Sequence, residues 1–175
     1  YLGADNPRCG RANPPWNLGR TCWGSSGGQA AIVAAGGSPF GLASDIGGSV
    51  RVPAHFCGIC GLKPTTGLLP DHGRLSIPIG QRAIPAQAGI VGQTVDDVLL
   101  GLSVCNGQKQ EEVNISTLRI AYYIEDGSFP VAASVRRGVL EAVEKLRAQG
   151  ATVFEWTPPD VPHMLRLYYK IMLAD

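Results

Sequence analysis

Three stretches decide how this chain is read: GSSGG at 24–28, SDIGGSVR at 44–51 and FCGICGLKPT at 56–65. The first two are glycine-dense and carry serine where the backbone must turn. Glycine takes up positive φ freely and lets another group approach bare backbone. Successive N–H groups in such a turn converge on an anion. A phosphate or the oxyanion of an acyl-transfer intermediate would suit, and a serine closing the turn favours the second. A phosphate loop of the form GxxxxGK[ST] needs a Lys after the glycines; neither turn has one, and no GxGxxG is present. Gly24-x-Ser26-x-Gly28 also satisfies the nucleophile elbow of α/β-hydrolases, with Asp160 and His163 in the right order to complete a triad. An elbow follows a strand of good β-formers, however, and Arg20-Thr21-Cys22-Trp23 makes a poor one. On pattern alone, tight turns around a packed core remain an equal reading of both clusters.

Composition sets these turns in a lopsided chain of 175 residues. Residues 1–92 hold 18 of the 23 glycines and nine of the 13 prolines; they carry seven Lys/Arg against three Asp/Glu. Residues 93–175 carry eight against eleven, so +4 and −3 sum to the net +1. That balance argues against a nucleic-acid or anionic-membrane partner. With 45% hydrophobic residues the chain can bury a core, and disorder, collagen and coiled coil are excluded. No apolar run approaches the roughly 18 residues of a membrane span. The opening at Tyr1, without Met or leader, and the close at Asp175 directly after an apolar helical pattern read as two cut ends. Five cysteines, an odd number, point to free thiols in a reducing, cytoplasmic compartment. Cys57-Gly-Ile-Cys60 has metal or redox spacing but no second pair, so both are read as small core residues, with no metal and no cofactor expected.

Residues 1–24 read as irregular loop, broken by Asn6-Pro7, Asn13-Pro14-Pro15 and Gly19. Gln29 to Ala35 predicts a short interior helix stopped by Gly36-Gly37, and residues 40–92 read as loops and short extended pieces. Thr94 predicts an N-cap with Asp97 at the third helical position. Leu118 to Tyr123 and Thr152 to Trp156 predict strands flanking a helix from Ala133 to Gln149, with Gly150 just past its end. Strand, helix and strand with short joints make a βαβ unit with parallel strands. A further amphipathic helix starts near His163.

Taken together, Gly24-Ser-Ser-Gly-Gly28, Ser44-Asp-Ile-Gly-Gly-Ser49-Val-Arg51 and Phe56-Cys-Gly-Ile-Cys-Gly-Leu-Lys-Pro-Thr65 resemble the amidase signature family. The order, the 24-residue interval between Ser25 and Ser49 and the GLKPT tail form one long signature. Pro14-Pro-Trp-Asn-Leu-Gly-Arg20 resembles the approach to it. The resemblance implies an α/β fold, part of a mixed central sheet covered by helices, with a glycine-rich catalytic core at 1–92 and peripheral helices and a βαβ unit at 93–175. It also implies amide hydrolysis by a Ser–cis-Ser–Lys triad. Ser49 would be the acylated nucleophile and Ser25, on a cis peptide bond, the bridging serine. The N–H groups of Ile46, Gly47, Gly48 and Ser49 would form the oxyanion hole. Ser26, Asp45 and Arg51 would support the loop. Ile46, where transamidase members commonly carry Thr, points towards the fatty-acid and aryl amide hydrolases.

Two positions depart from the family pattern. The first lysine is Lys63 of GLKPT, read as structural, so the catalytic Lys is expected upstream of Tyr1 and the 175 residues alone are expected to be inactive. Trp23 stands where the family usually has Gly, an indole that would narrow the pocket or mark a diverged member. The expected partner is a small-molecule amide. The rival readings are a non-catalytic amidase-like binding or structural protein and an esterase using Ser26.

Overall fold

A computed structural model describes residues 3–70, 72–73, 83–109 and 111–173. They fall into two compact units, Tyr1–Gln110 and Glu111–Asp175. Composition changes near residue 92, whereas the packing changes at 110. The helix begun at Thr94 therefore belongs with the glycine-rich part.

The first unit is organised around one strand. β1 (Asp5–Asn6) and β2 (Gly10–Arg11) form a minimal antiparallel pair, followed by α1 (Gly27–Ala34). Next come β3 (Phe40–Asp45), α2 (Arg51–Cys57), β4 (Cys60–Leu62), β5 (Gln87–Gly92) and α3 (Val95–Asn106). β3, β5 and β4 form an antiparallel sheet in that order, with Leu42 and Leu62 both opposite Ile90. Neighbouring residues of a strand face opposite sides of the sheet. Val91 accordingly meets Val33 of α1 and Val50 and Ala54 at α2. Ile90 meets Val98 and Leu102 of α3 on the other side. β5 is covered on both faces and five of its six residues are buried, which is why it shows no polar alternation.

The stretch read as loops and short extended pieces thus contains two six-residue strands and a helix. β5 is rich in Gly and Ala because its neighbours come too close for larger side chains. A Cβ on Gly89 would lie 2.6 Å from the Leu62 carbonyl oxygen and 2.9 Å from the Val50 side chain. α2 is masked in the sequence by Pro53, which sits in the first helical turn, where no N–H is needed for the helix ladder. α3 starts as expected: Thr94 accepts the Asp97 N–H and Asp97 accepts the Thr94 N–H, closing a capping box.

In the second unit, β6 (Arg119–Tyr122) and β7 (Thr152–Glu155) pair in parallel, Arg119 opposite Thr152, with α4 (Ala133–Ala148) as the crossover. Gly150 has φ +91°, which fits its place just past α4. α5 (Val161–Met172) follows, capped by Asp160, whose carboxylate accepts the His163 N–H at 3.1 Å. The α/β class holds. Among the described residues the strands form a parallel pair, an antiparallel trio and the small β1–β2 ladder. No helix among the described residues is long and apolar enough to cross a membrane.

Gly89→Ala is expected to lower unfolding stability by about 1–3 kcal/mol, the usual cost of overpacking. Urea denaturation measures it, and an unchanged midpoint would contradict the close approach at β5.

Candidate active site

Asp45 ends β3 and is fully buried. A buried carboxylate needs donors for both oxygens, and the following loop supplies them. Gly48 N–H donates to Oδ1 at 2.7 Å, and the Val50 and Arg51 N–H groups donate to Oδ2 at 3.0 and 3.3 Å. Arg51 returns its guanidinium, Nε to Oδ2 at 3.0 Å and NH2 to Oδ1 at 2.9 Å. Burial would raise this carboxyl, but the Arg51 guanidinium and the Gly48 and Val50 N–H groups outweigh it and hold it at about 2. The same carboxylate caps the start of α2, where a negative charge is favoured. Gly48 has φ +113°, a conformation that residues with a Cβ rarely adopt.

This knot changes the donor count of the 46–49 turn. The resemblance assigns four N–H groups to an oxyanion, and Gly48's is committed to Asp45 instead. No hydrogen bond runs from the Ile46, Gly47 or Ser49 N–H to another described residue.

The two glycine-rich turns are joined directly. Ser26 N–H donates to the Ser49 carbonyl at 3.2 Å. Ser44 N–H donates to Ser26 Oγ, and that hydroxyl donates to the Ser44 carbonyl, both at 3.4 Å. Ser26 is therefore turned onto the β3 backbone. Ser25, one residue before it, is exposed, and the Gly24–Ser25 peptide bond is cis. Residues 20–26 are irregular, so no strand leads into Ser26 as an elbow would require. The Asp160 carboxylate, the acid of that alternative, is engaged with the His163 backbone.

Ser25 opens onto a cavity of about 620 Å³ lined also by Ser26, Gln29, Leu42, Ser44 and His72. A smaller one of about 370 Å³, lined in part by Asp5, Arg11 and Gly28, reaches it from the β1–β2 side. Ser49 lines neither. Nothing local in the sequence marks Gln29 or His72 as site residues, and only the fold brings residue 72 to the start of α1. Trp23 does not line the larger cavity; its indole stacks on Phe56. Lys63 Nζ donates to the Pro64 carbonyl at 3.0 Å, which suits a structural lysine. All five cysteines are free. Cys22 and Cys57 are fully buried, and burial together with the neighbouring Cys22 pushes the Cys57 thiol up to about 11, far from a reactive thiolate.

The profile of the family described as Amidase matches residues 1–175. The chain is 37% identical to fatty-acid amide hydrolase 1 of Sus scrofa, over 91% of this chain and 30% of that protein. It is 34% identical to the vitamin D3 hydroxylase-associated protein of Gallus gallus, over 95% of this chain and 39% of that one. Among solved structures it superposes on a fatty acid amide hydrolase with a TM-score of 0.89 and 34% identity, over 99% of this chain and 33% of that one. The chain thus spans about a third of the length of the relatives it matches.

The depressed Asp45 pKa fixes the sign of its pH dependence. Its stabilisation is present above the ordinary carboxyl value of 3.8 and is lost as pH falls towards 2. This one group is expected to account for about 2 kcal/mol of stability lost between pH 5 and pH 2. Asp45→Asn should start lower by a similar amount and show a flatter acid limb in urea unfolding. Parallel curves for the two proteins would contradict the assignment.

Proposed function

This chain belongs to the amidase family, and on that premise we propose that it carries the two serines of an amidase that cleaves a small-molecule carboxamide through an acyl-serine. The observation that supports this most is the hydrogen bond from Ser26 N–H to the Ser49 carbonyl. It closes the 24-residue interval between the serine turns and sets Ser25 beside the segment that bears Ser49.

In this reading Ser49 is the nucleophile and Ser25 the relay. A neutral lysine from outside residues 1–175 accepts the Ser25 hydroxyl proton while Ser25 accepts that of Ser49. Ser49 Oγ then bonds to the amide carbon and the carbonyl oxygen becomes an oxyanion. The N–H groups of Ile46, Gly47 and Ser49 receive it, each donor contributing about 3 kcal/mol of transition-state stabilisation. As the C–N bond breaks, the relay returns the proton to the leaving amine. Water then attacks the ester by the same relay, releasing acid and free Ser49. Asp45 and Arg51 touch no reacting atom. They hold the turn, whose Ile46, Gly47 and Ser49 N–H groups are bonded to no other described residue.

A serine-directed fluorophosphonate is expected to label the full-length protein at Ser49, with loss of fluoride, and Ser49→Ala to abolish both labelling and amide turnover. Labelling that survives Ser49→Ala but vanishes in Ser26→Ala would overturn this reading in favour of an elbow serine. An unlabelled full-length protein would favour a non-catalytic binding role. Residues 1–175 expressed alone are expected to show no amide turnover; measurable turnover would refute the placement of the base outside them.

A further inference from the structure

Cys22 and Trp23 meet Cys57 and Phe56 pair by pair, in opposed directions. Cys22 and Cys57 lie in one core cluster, with the Cys22 thiol donating to the Ala12 carbonyl at 2.9 Å. One residue along, the Trp23 ring stacks on Phe56, with centroids 5.7 Å apart and planes 21° from parallel. His55 braces Phe56 edge-on at 5.8 Å. Trp16 Nε1–H donates to the Cys57 carbonyl at 2.7 Å and fixes the end of α2.

Trp23 also has φ +60°. Bulky residues seldom occupy that region, and one that does is held by its surroundings. Its N–H donates to Thr21 Oγ1 at 3.0 Å, a local turn, so the stack on Phe56 is its long-range restraint. Two residues after Trp23 comes Ser25. On the far side of the seam, α2 runs back to Val50 and Arg51, whose N–H groups are held by Asp45, and so to Ser49.

We propose that the Trp23–Phe56 stack is a positioning clamp, which together with the Ser26–Ser49 hydrogen bond fixes where Ser25 lies relative to Ser49. Neither aromatic residue is a catalytic one. The kinetic consequence rests on the amidase reading; the structural one does not. The thiol pair is core, whereas Phe56 is 45% exposed, so the aromatic half of the seam can be cut without emptying the interior. Glycine suits the backbone at position 23, so Trp23→Gly removes the ring and leaves the turn at ease.

The test uses the full-length protein with Trp23→Gly, Phe56→Ala, the double variant and Phe56→Tyr. Hydrogen exchange of the Ser26 N–H, melting temperature and amide kinetics are followed in parallel. Each single variant is expected to speed Ser26 exchange about tenfold with the melting temperature kept within a few degrees. The same variants should lower kcat about tenfold with KM unchanged, as misplacement of a relay group does. The double variant should match the singles, because both cut the same contact, and Phe56→Tyr should behave as wild type. Unchanged Ser26 exchange in both single variants, or losses that multiply in the double, would overturn the clamp. Faster exchange in the variants of a protein that turns over no amide even as wild type would uphold the clamp and sink the amidase reading.

Discussion

A single buried carboxylate organises the 46–49 turn. Asp45 sits at the end of β3 with no access to water, so its charge is tolerable only if the backbone folds around it. It does so within six residues: three N–H groups and the Arg51 guanidinium converge on its two oxygens. Most of what surrounds the site follows from that demand. Gly48 is driven to positive φ, α2 begins where the carboxylate caps it, and Ser49 is held between the two. Breaking one partner of such a buried charge costs more than the pair itself is worth, because the other is left unpaired. Arg51 is more than half exposed and water can solvate it if Asp45 is removed, whereas removing Arg51 leaves the buried Asp45 charge to its backbone donors alone.

The glycine enrichment of residues 1–92 invites a catalytic explanation, and the packing divides it. Gly48 serves the turn at Ser49. Gly89 serves the core: it lies on β5, where Leu62 and Val50 leave no room for a Cβ. Close layering of α1, α2 and α3 on a three-stranded sheet accounts for much of the asymmetry, and the two serine-bearing turns account for more of it.

Helix starts and the βαβ unit are legible because their signals are local. Thr94 and Asp97 lie three residues apart and satisfy each other, and β6, α4 and β7 carry their own periodicity and stops. β5 is not, because a strand shielded on both faces loses alternation, and Gly and Ala make up half of it, leaving Ile90 and Val91 as its two β-branched residues. β3 shares the weak composition: Phe40-Gly-Leu-Ala-Ser-Asp45 contains no β-branched residue. α2 escapes notice for a different reason: Pro53 interrupts its pattern, and the carboxylate that accepts its first N–H, Asp45, lies six residues before its first residue, outside any local capping pattern. The two serine turns are legible as motifs, yet the bond from the Gly48 N–H to Asp45 is not. Composition cannot say which of four adjacent N–H groups a buried carboxylate will claim. Gln29 and His72 enter the Ser25 cavity only through tertiary structure.

The central claim is that Ser49 carries the acyl group, and trapping the intermediate tests it most directly. Full-length protein mixed with an activated anilide, quenched in acid at steady state and digested with trypsin should yield residues 21–51 heavier by the acyl group. That peptide is bounded by Arg20 and Arg51 and contains Ser25, Ser26 and Ser49 together, so fragmentation decides between them. The added mass is expected on Ser49. The same mass on Ser25 or Ser26, or no acylated peptide while anilide is consumed, would contradict the claim.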